Sequence, residues 1–153
     1  MSQGWAQDAA AATSMPPGAV DRVLRDLARW WNRHDLERVL SLYAGDYEGA
    51  DVGCSAVQHG PAGAGACFAR YWLAFPDLRV VGGARIVEGN RVAVAWTARG
   101  THEGTFMNIP ATGRRVTLRG VSFLTLDGDR VSRASHTWDV AGLLRAVRLL
   151  PDL

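Results

Sequence analysis

The chain predicts a single α+β domain in which helices come first and a long antiparallel sheet follows. In the first half, apolar residues recur at the three- and four-residue spacing of amphipathic helices. After residue 78 they alternate at every second position, as in half-buried strands. Turn residues such as Asp127-Gly128-Asp129 separate the alternating runs. In this fold class a curved sheet carries the helices on its concave face and leaves a pocket at one open end.

Three helices are predicted ahead of the sheet. The first follows Pro16-Pro17-Gly18 and carries an apolar stripe of Val20, Val23, Leu24, Leu27 and Trp30 or Trp31. Asp35 is a suitable N-cap for a second, short helix that reaches Tyr43. Gly60-Pro61 opens a third helix, since proline suits the first helical turn, and Pro76 ends it. Its apolar face comprises Cys67, Phe68, Tyr71, Trp72 and Phe75.

The strand predictions are uneven along the chain. Residues 44–59 are rich in glycine and predict an irregular crossing with one short strand near 51–58. An extended arm from Leu78 turns at Glu88-Gly89-Asn90 into a strand through Val92, Val94 and Trp96. Further strands are predicted from about 114 to 126 and from 130 to 138, and Asp139 is a natural cap for a closing helix.

The length and composition of the chain indicate the number of domains and the expected cellular location. The 153 residues suit one domain, which we place at residues 19–153, preceded by a flexible tail at residues 1–18. This tail has neither the basic start nor the apolar run of a signal peptide. No stretch of about 18 apolar residues predicts a membrane span. We therefore expect a soluble, cytoplasmic protein without a membrane partner.

Charge argues against two classes of function. All 17 basic residues are arginine, so no lysine is present to form a Schiff base. The arginines are scattered, the formal net charge is only +2, and no nucleic-acid-binding motif accompanies them. We therefore expect no nucleic acid partner.

Cysteine and histidine spacing argues against a metal site. Cys54 and Cys67 form neither a C-x-x-C pair nor a Cys/His motif, so two free thiols are expected. The four histidines lack the i, i+4 or H-x-H spacing that brings two imidazoles to one ion. A Gly-x-Ser-x-Gly elbow and a glycine-rich phosphate loop are also missing from the sequence. We expect chemistry without metal or cofactor.

Several short motifs in a fixed order carry a family resemblance. They are Asn32 to Glu37, Phe75-Pro76-Asp77-Leu78, Glu88 to Val92, Gly100 to Gly104, Ile109 to Gly113, and Trp138-Asp139 through Gly142-Leu143-Leu144. Together, over about residues 20–149, they resemble the SnoaL-like polyketide cyclases of the nuclear transport factor 2-like fold. The resemblance implies a cone-shaped α+β barrel, often a homodimer, with three N-terminal helices on the concave face of the sheet. It also implies a deep apolar cavity for a small or polycyclic substrate.

The resemblance also implies where the chemistry lies. Cyclases of this family close a ring by aldol condensation, using an aspartate on the last long strand and a histidine on the preceding strand. In this sequence His136 stands at the aspartate position and Ser122 near the histidine position. Since neither residue type is kept, aldol condensation is in doubt, while the cavity remains expected.

His136 is the leading catalytic candidate. It lies two positions before Trp138, so both side chains leave one face of the strand. An imidazole with a pKa near 6.5 can accept or return a proton at neutral pH. A hydrogen-bonded core histidine is the competing interpretation.

Other residues are weaker candidates. His102 shares its parity with Trp96 and is the second catalytic histidine, unless it marks a structural bend. Asp139 could orient a histidine or act as a base, but it also suits a helix N-cap. The candidates for substrate binding are Trp96, Ser122, Arg119, Trp138, Tyr47, His59 and Met107. His34 is expected to be an exposed turn residue.

The leading functional hypothesis is a cofactor-independent cyclase or isomerase of natural-product biosynthesis, acting on a polyketide-like or other polycyclic apolar metabolite by proton transfer. One alternative is dehydration or epoxide opening, for which Asp46, Tyr47 and Asp51 are candidate partners of the histidine. The other is a non-catalytic small-molecule carrier or accessory domain, because fold alone does not fix function.

Overall fold

The computed structural model describes residues 11–153, and residues 1–10 of the predicted tail lie outside this range. The helices are α1 (Ala19–Asn32), α2 (Leu36–Leu40), α3 (Gly60–Ala74) and α4 (Val140–Ala146). The strands are β1 (Tyr43–Asp51), β2 (Cys54–His59), β3 (Arg79–Glu88), β4 (Arg91–Thr101), β5 (Arg115–Asp127) and β6 (Arg130–Trp138). The predicted α+β class, with a curved sheet, is confirmed. No helix in residues 11–153 is both long and apolar enough to cross a membrane.

One six-stranded sheet, in the order β2-β1-β6-β5-β4-β3, organises the domain. Neighbouring strands are antiparallel except for β1 and β6, which pair in parallel. The prediction of a wholly antiparallel sheet is therefore wrong at this one pair. Because β6 lies between β1 and β5, the last strand of the chain occupies the centre of the sheet.

The region predicted as an irregular crossing holds two strands, β1 and β2. Gly49 does not break β1, and Gly53 lies in the turn between β1 and β2; each makes room for a large neighbour. A Cβ atom at Gly49 would overlap the Tyr47 hydroxyl, and one at Gly53 would overlap the Tyr71 hydroxyl. A glycine in a strand can thus mark a close approach instead of a loop.

Helices α1 and α3 pack against the sheet, and α2 packs against both of them. Two clusters of buried side chains fill the space between the layers. One joins α1, α2 and α3 to β1, β5 and β6 around Tyr47 and Phe68. The other joins α3 and α4 to β4 and β5 around Phe75 and Leu118. A cavity remains between α1 and the sheet.

Two further details qualify the predictions near the helices. Within the predicted tail, Thr13 N donates to Asn90 Oδ1 at 2.9 Å, and Met15 packs against the core. These residues are therefore anchored on the domain. His34, expected to be exposed, stacks on Trp72 with ring centroids 4.9 Å apart, and its Nε2 lies 3.0 Å from Leu78 O.

The outer face of the sheet exposes large apolar side chains on β3 and β5. Ile86 and Phe123 belong to the same transverse row and are 76% and 58% exposed. Val81 and Val121 are also exposed on this face. The homodimer implied by the family resemblance stays a prediction.

Candidate active site

The cavity has a volume of about 540 Å³, which is within the range of small-molecule sites. Its walls are mainly apolar and come from α1, α3 and the inner face of the sheet. They include Leu24, Leu27, Trp31, Phe68, Leu78, Val94, Trp96, Leu118 and Leu124. The polar lining residues deep in the cavity are Tyr43, Asp51, Tyr71, Ser122 and His136. A mostly apolar chamber with a few convergent polar groups suits a small organic ligand.

His136 projects from β6 into this cavity. Its Nδ1 lies 2.7 Å from Ser122 Oγ on the neighbouring strand, where the two residues are in direct register. Its Nε2 is buried and has no hydrogen-bond partner within residues 11–153. An unpaired polar atom costs free energy unless something else satisfies it. The ring therefore has one nitrogen held by Ser122 and one without a partner among residues 11–153.

Ser122 is itself held by Trp96, whose Nε1 donates to Ser122 Oγ at 2.9 Å. A serine hydroxyl has one proton and two lone pairs. With one lone pair engaged by Trp96, it can either donate to His136 Nδ1 or accept from it. Ser122 can thus remain bonded to the imidazole in both neutral tautomers and in the imidazolium form.

Gly120 leaves room for the tryptophan side chains of both neighbouring strands on the inner face. It pairs with Trp96 on β4 and with Trp138 on β6, so the three residues form one row. A Cβ atom at Gly120 would lie 2.6 Å from Trp96 Cζ2 and 2.7 Å from Trp138 Cβ. The missing side chain therefore sets the position of Trp96 and, through it, of Ser122.

Asp51 supplies a carboxylate to the same cavity. It stands at the end of β1 in parallel register with His136. Its Oδ1 accepts hydrogen bonds from the Tyr71 hydroxyl at 2.6 Å, Gly53 N at 2.7 Å and Trp138 Nε1 at 3.3 Å. Trp138 Nε1 also donates to the Tyr71 hydroxyl at 2.8 Å. Donors from three parts of the fold thus fix this carboxylate.

Burial and charge have opposite effects on the pKa of His136. Burial lowers its pKa, because the charged imidazolium is poorly solvated there, while the negative charge of Asp51 raises it. The net shift is downward, so the ring is neutral near pH 7 and can accept a proton. Burial, then Asp51, raises the pKa of Tyr71, which remains a neutral phenol.

Asp51→Asn is expected to lower the pKa of His136 further, because the substitution removes the nearby negative charge but keeps the side-chain shape. NMR titration of the imidazole C–H signals measures this, with the His136 signal assigned from its absence in His136→Gln. Asp46→Asn is the matched control, since Asp46 is an exposed carboxylate on the same strand. An unchanged or raised His136 pKa in Asp51→Asn would contradict the expectation.

Of the residues predicted to bind substrate, Ser122 and Trp96 line the cavity. Trp138 does not line it but holds Asp51 and Tyr71. Tyr71 was expected only as part of the apolar face of α3. The hydrogen bond from its hydroxyl to Asp51 depends on the turn after β1, and the local sequence around Tyr71 does not indicate this contact.

Two of the predicted catalytic residues lie elsewhere, and their prediction is corrected. His102 follows the end of β4, where the chain bends, and is buried beside Phe75 with Nδ1 3.0 Å from Thr112 Oγ1. Burial lowers its pKa. Asp139 is exposed and accepts a hydrogen bond from Gly142 N at 2.8 Å, as the N-cap of α4. Both residues have structural roles.

Four predicted lining residues also lie outside the cavity. Arg119 has the opposite parity to Ser122 on β5 and projects from the outer face, where it is exposed. Tyr47 is buried in the core and donates to Gln58 Oε1 at 2.9 Å. His59 is exposed before α3, and Met107 packs against the second core cluster.

Cys54 and Cys67 form a disulfide, so the prediction of two free thiols is wrong. Cys54 on β2 faces Cys67 on α3, a tertiary contact that sequence spacing does not encode. An Asp51 carboxylate oxygen lies within 4.8 Å of both sulfur atoms, a grouping that could hold a metal ion. The thiolate is the metal-binding form of cysteine, however, and neither sulfur is a thiolate in the disulfide.

The arrangement has counterparts among known proteins. The family model described as SnoaL-like polyketide cyclase matches residues 21–147, which run from α1 to the end of α4. The chain belongs to the SnoaL-like polyketide cyclase family. No curated protein sequence matches it.

Several solved structures share the fold of this SnoaL-like domain. AclR from Streptomyces galilaeus, named as a candidate hydroxylase, is 26% identical, with 87% of this chain and 83% of AclR covered and a TM-score of 0.75. TsrD from Streptomyces laurentii is 21% identical, with 90% and 100% covered and a TM-score of 0.80. IdmH from Streptomyces antibioticus, named as a candidate polyketide cyclase, is 22% identical, with 84% and 97% covered and a TM-score of 0.73.

Proposed function

We propose that this SnoaL-like protein is an enzyme that transfers a proton within an apolar, polyketide-like substrate, and so promotes cyclisation or isomerisation without metal or organic cofactor. The observation that carries the proposal is His136 Nε2, which is buried at the cavity wall and has no partner in the described part of the chain. General bases must lie within hydrogen-bond reach of the proton that they remove. A ligand in this cavity can place a C–H bond against that nitrogen.

The proposed step uses the neutral imidazole as the base. Nε2 takes a proton from the carbon next to a substrate carbonyl, the C–H bond breaks, and its electron pair moves to the carbonyl oxygen as an enolate. The enolate carbon then either attacks a second carbonyl carbon, closing a ring, and the imidazolium protonates the alkoxide that forms, or, where the enolate is conjugated with a C=C bond, the imidazolium returns the proton to the far carbon and the double bond moves. Ser122 remains bonded to Nδ1 in each protonation state, and Asp51 stabilises the imidazolium through its negative charge.

A second candidate is dehydration or epoxide opening in the same cavity. Asp51 favours it, since a fixed carboxylate near a histidine could hold a water molecule or a leaving hydroxyl group. Of the other partners considered, Asp46 is exposed and Tyr47 is buried in the core. The converging Asp51 and His136 support an enzyme over a passive carrier, whose cavity needs only apolar walls.

The proposal is tested by hydrogen exchange at carbon. We expect the protein to accelerate deuterium incorporation from D₂O into 2-tetralone, an apolar bicyclic ketone with acidic C–H bonds, as followed by NMR. Heat-denatured protein at the same concentration corrects for buffer catalysis. Exchange no faster than with denatured protein would count against proton abstraction by this site. Turnover of aromatic epoxides by the same sample would instead favour the second candidate.

A further inference from the structure

The open end of the cavity carries charges that the proposed proton transfer does not use. The exposed part of the lining comes from α1 and β3 and consists of Asp21, Arg25, Gly82, Gly83 and Arg85. Strand β3 has a bulge between Gly82 and Arg85. A Cβ atom at Gly82 would meet no atom of residues 11–153 within 4 Å, so no side chain of this range obstructs the entrance at this point. We call these five residues the cavity mouth.

The charge of the cavity mouth is positive. Arg85 forms an ion pair with Asp21, which links β3 to α1 across the entrance. Arg25, one turn further along α1, forms no ion pair among residues 11–153. Two arginines and one aspartate leave a net charge of +1 beside a chamber with apolar walls. Because guanidinium groups match the geometry of carboxylates and related oxyanions, this mouth suits an anionic group.

The distance between the cavity mouth and His136 sets the length of a ligand that contacts both. One transverse row of the sheet contains Arg85, Val94, Ser122, His136 and Asp51 on five successive strands. Three inter-strand spacings separate the backbones of Arg85 and His136, or about 14 Å. An arginine side chain can shorten this gap by reaching inward. A ligand of two or three fused rings spans the remainder.

We propose that the cavity mouth binds the anionic group of an organic acid, whose apolar ring system fills the cavity and whose opposite end reaches His136. Arg25 provides the unpaired charge. Arg85 provides the second positive charge, for which the anionic group competes with Asp21. The inference rests on the proposed function only for what happens at His136, and binding of the acid can be measured without any turnover.

Two fluorescent dyes with the same ring system test the proposal. Anilinonaphthalene sulfonate carries a sulfonate that N-phenyl-1-naphthylamine lacks, and both dyes brighten in apolar surroundings. We expect Arg25→Gln to weaken binding of the sulfonate dye roughly fivefold at low salt, the effect of one partly exposed ion pair, and to leave binding of the neutral dye unchanged. Asp21→Asn, which releases Arg85, should strengthen binding of the sulfonate dye only.

Three control variants distinguish binding at the mouth from binding elsewhere on the protein. Arg99→Gln removes an exposed arginine from the outer face and should leave both dissociation constants unchanged. Ala28→Trp, at a lining position of α1, should weaken the binding of both dyes, because the larger side chain fills part of the cavity. His136→Gln should leave the preference for the sulfonate dye over the neutral dye unchanged, so that a failure of catalysis remains distinct from a failure of this inference.

The proposal is overturned by any of three results. In the first, Arg25→Gln weakens the binding of both dyes equally. In the second, Arg25→Gln has the same dissociation constants as Arg99→Gln. In the third, Ala28→Trp leaves the binding of the sulfonate dye unchanged. The first two results would show that the cavity mouth does not prefer an anion, and the third would show that the dye binds outside the cavity. Loss of the sulfonate preference in 0.5 M salt is expected, since exposed charges are screened there.

Discussion

His136→Gln is expected to slow proton exchange into 2-tetralone by about 10²- to 10⁴-fold, the usual contribution of a general base. Glutamine has polar atoms that can still bond to Ser122 Oγ, but it cannot take up a proton at neutral pH. The melting temperature should change little, because the buried Nε2 contributes no hydrogen bond to the fold. His136→Ala should lose the same activity, and its comparison with glutamine separates loss of the base from loss of packing.

The pH profile gives a second measure of the same prediction. Since burial holds the pKa of His136 below its ordinary value near 6.5, the base is neutral at pH 7. Activity should therefore be highest at neutral and higher pH and fall as the pH decreases through the lowered pKa of His136, where the imidazole becomes protonated. His59→Gln, which changes an exposed histidine outside the cavity, should keep both the rate and this profile. Full activity in His136→Gln would exclude His136 as the base.

Removal of the disulfide has the second large expected effect. Cys54→Ala/Cys67→Ala is expected to lower the free energy of unfolding by about 3 kcal/mol, because the bond closes a short loop and restricts the unfolded chain. The two cysteines are 13 residues apart. Urea denaturation of the wild type and the double variant, with and without dithiothreitol, measures the difference.

The reductant provides an internal control for this measurement. Dithiothreitol should destabilise the wild type and leave the double variant unchanged. The disulfide also ties together the segments that hold the Asp51–Tyr71 hydrogen bond, since Asp51 is three residues before Cys54 and Tyr71 four residues after Cys67. Two reactive thiols in the unreduced, folded protein would contradict the disulfide itself.

The elements with a clear period were predictable from the sequence. Helix α1 and the strands β4 to β6 have regular apolar spacing, and each lies close to its predicted position. Between residues 43 and 59 the one short strand predicted near 51–58 corresponds to β2, whereas β1 was missed because Gly49 and Gly53 resemble loop residues. Their missing side chains accommodate Tyr47 and Tyr71, which are contacts that a local pattern does not contain.

The candidate site was predictable where it depends on strand parity alone. Ser122 and Trp96 face the cavity because each has the inward parity of its strand. Arg119 and Ser122 are three positions apart on β5 and so cannot both face inward. The pairing of Asp51 with His136 needs the parallel contact between β1 and β6, which no spacing along the chain encodes.

That parallel contact also has a consequence for how the protein is assembled. The strand that fills the centre of the sheet is the last one to be synthesised, and it separates two parts of the sheet that do not otherwise pair. The β1–β2 hairpin and the β3–β4–β5 meander can each form from local contacts, but they join only when β6 is inserted. Contacts between such distant parts of a chain form slowly. The proposed base, His136, therefore lies on the same strand that closes the fold, so an incompletely folded chain has no assembled cavity.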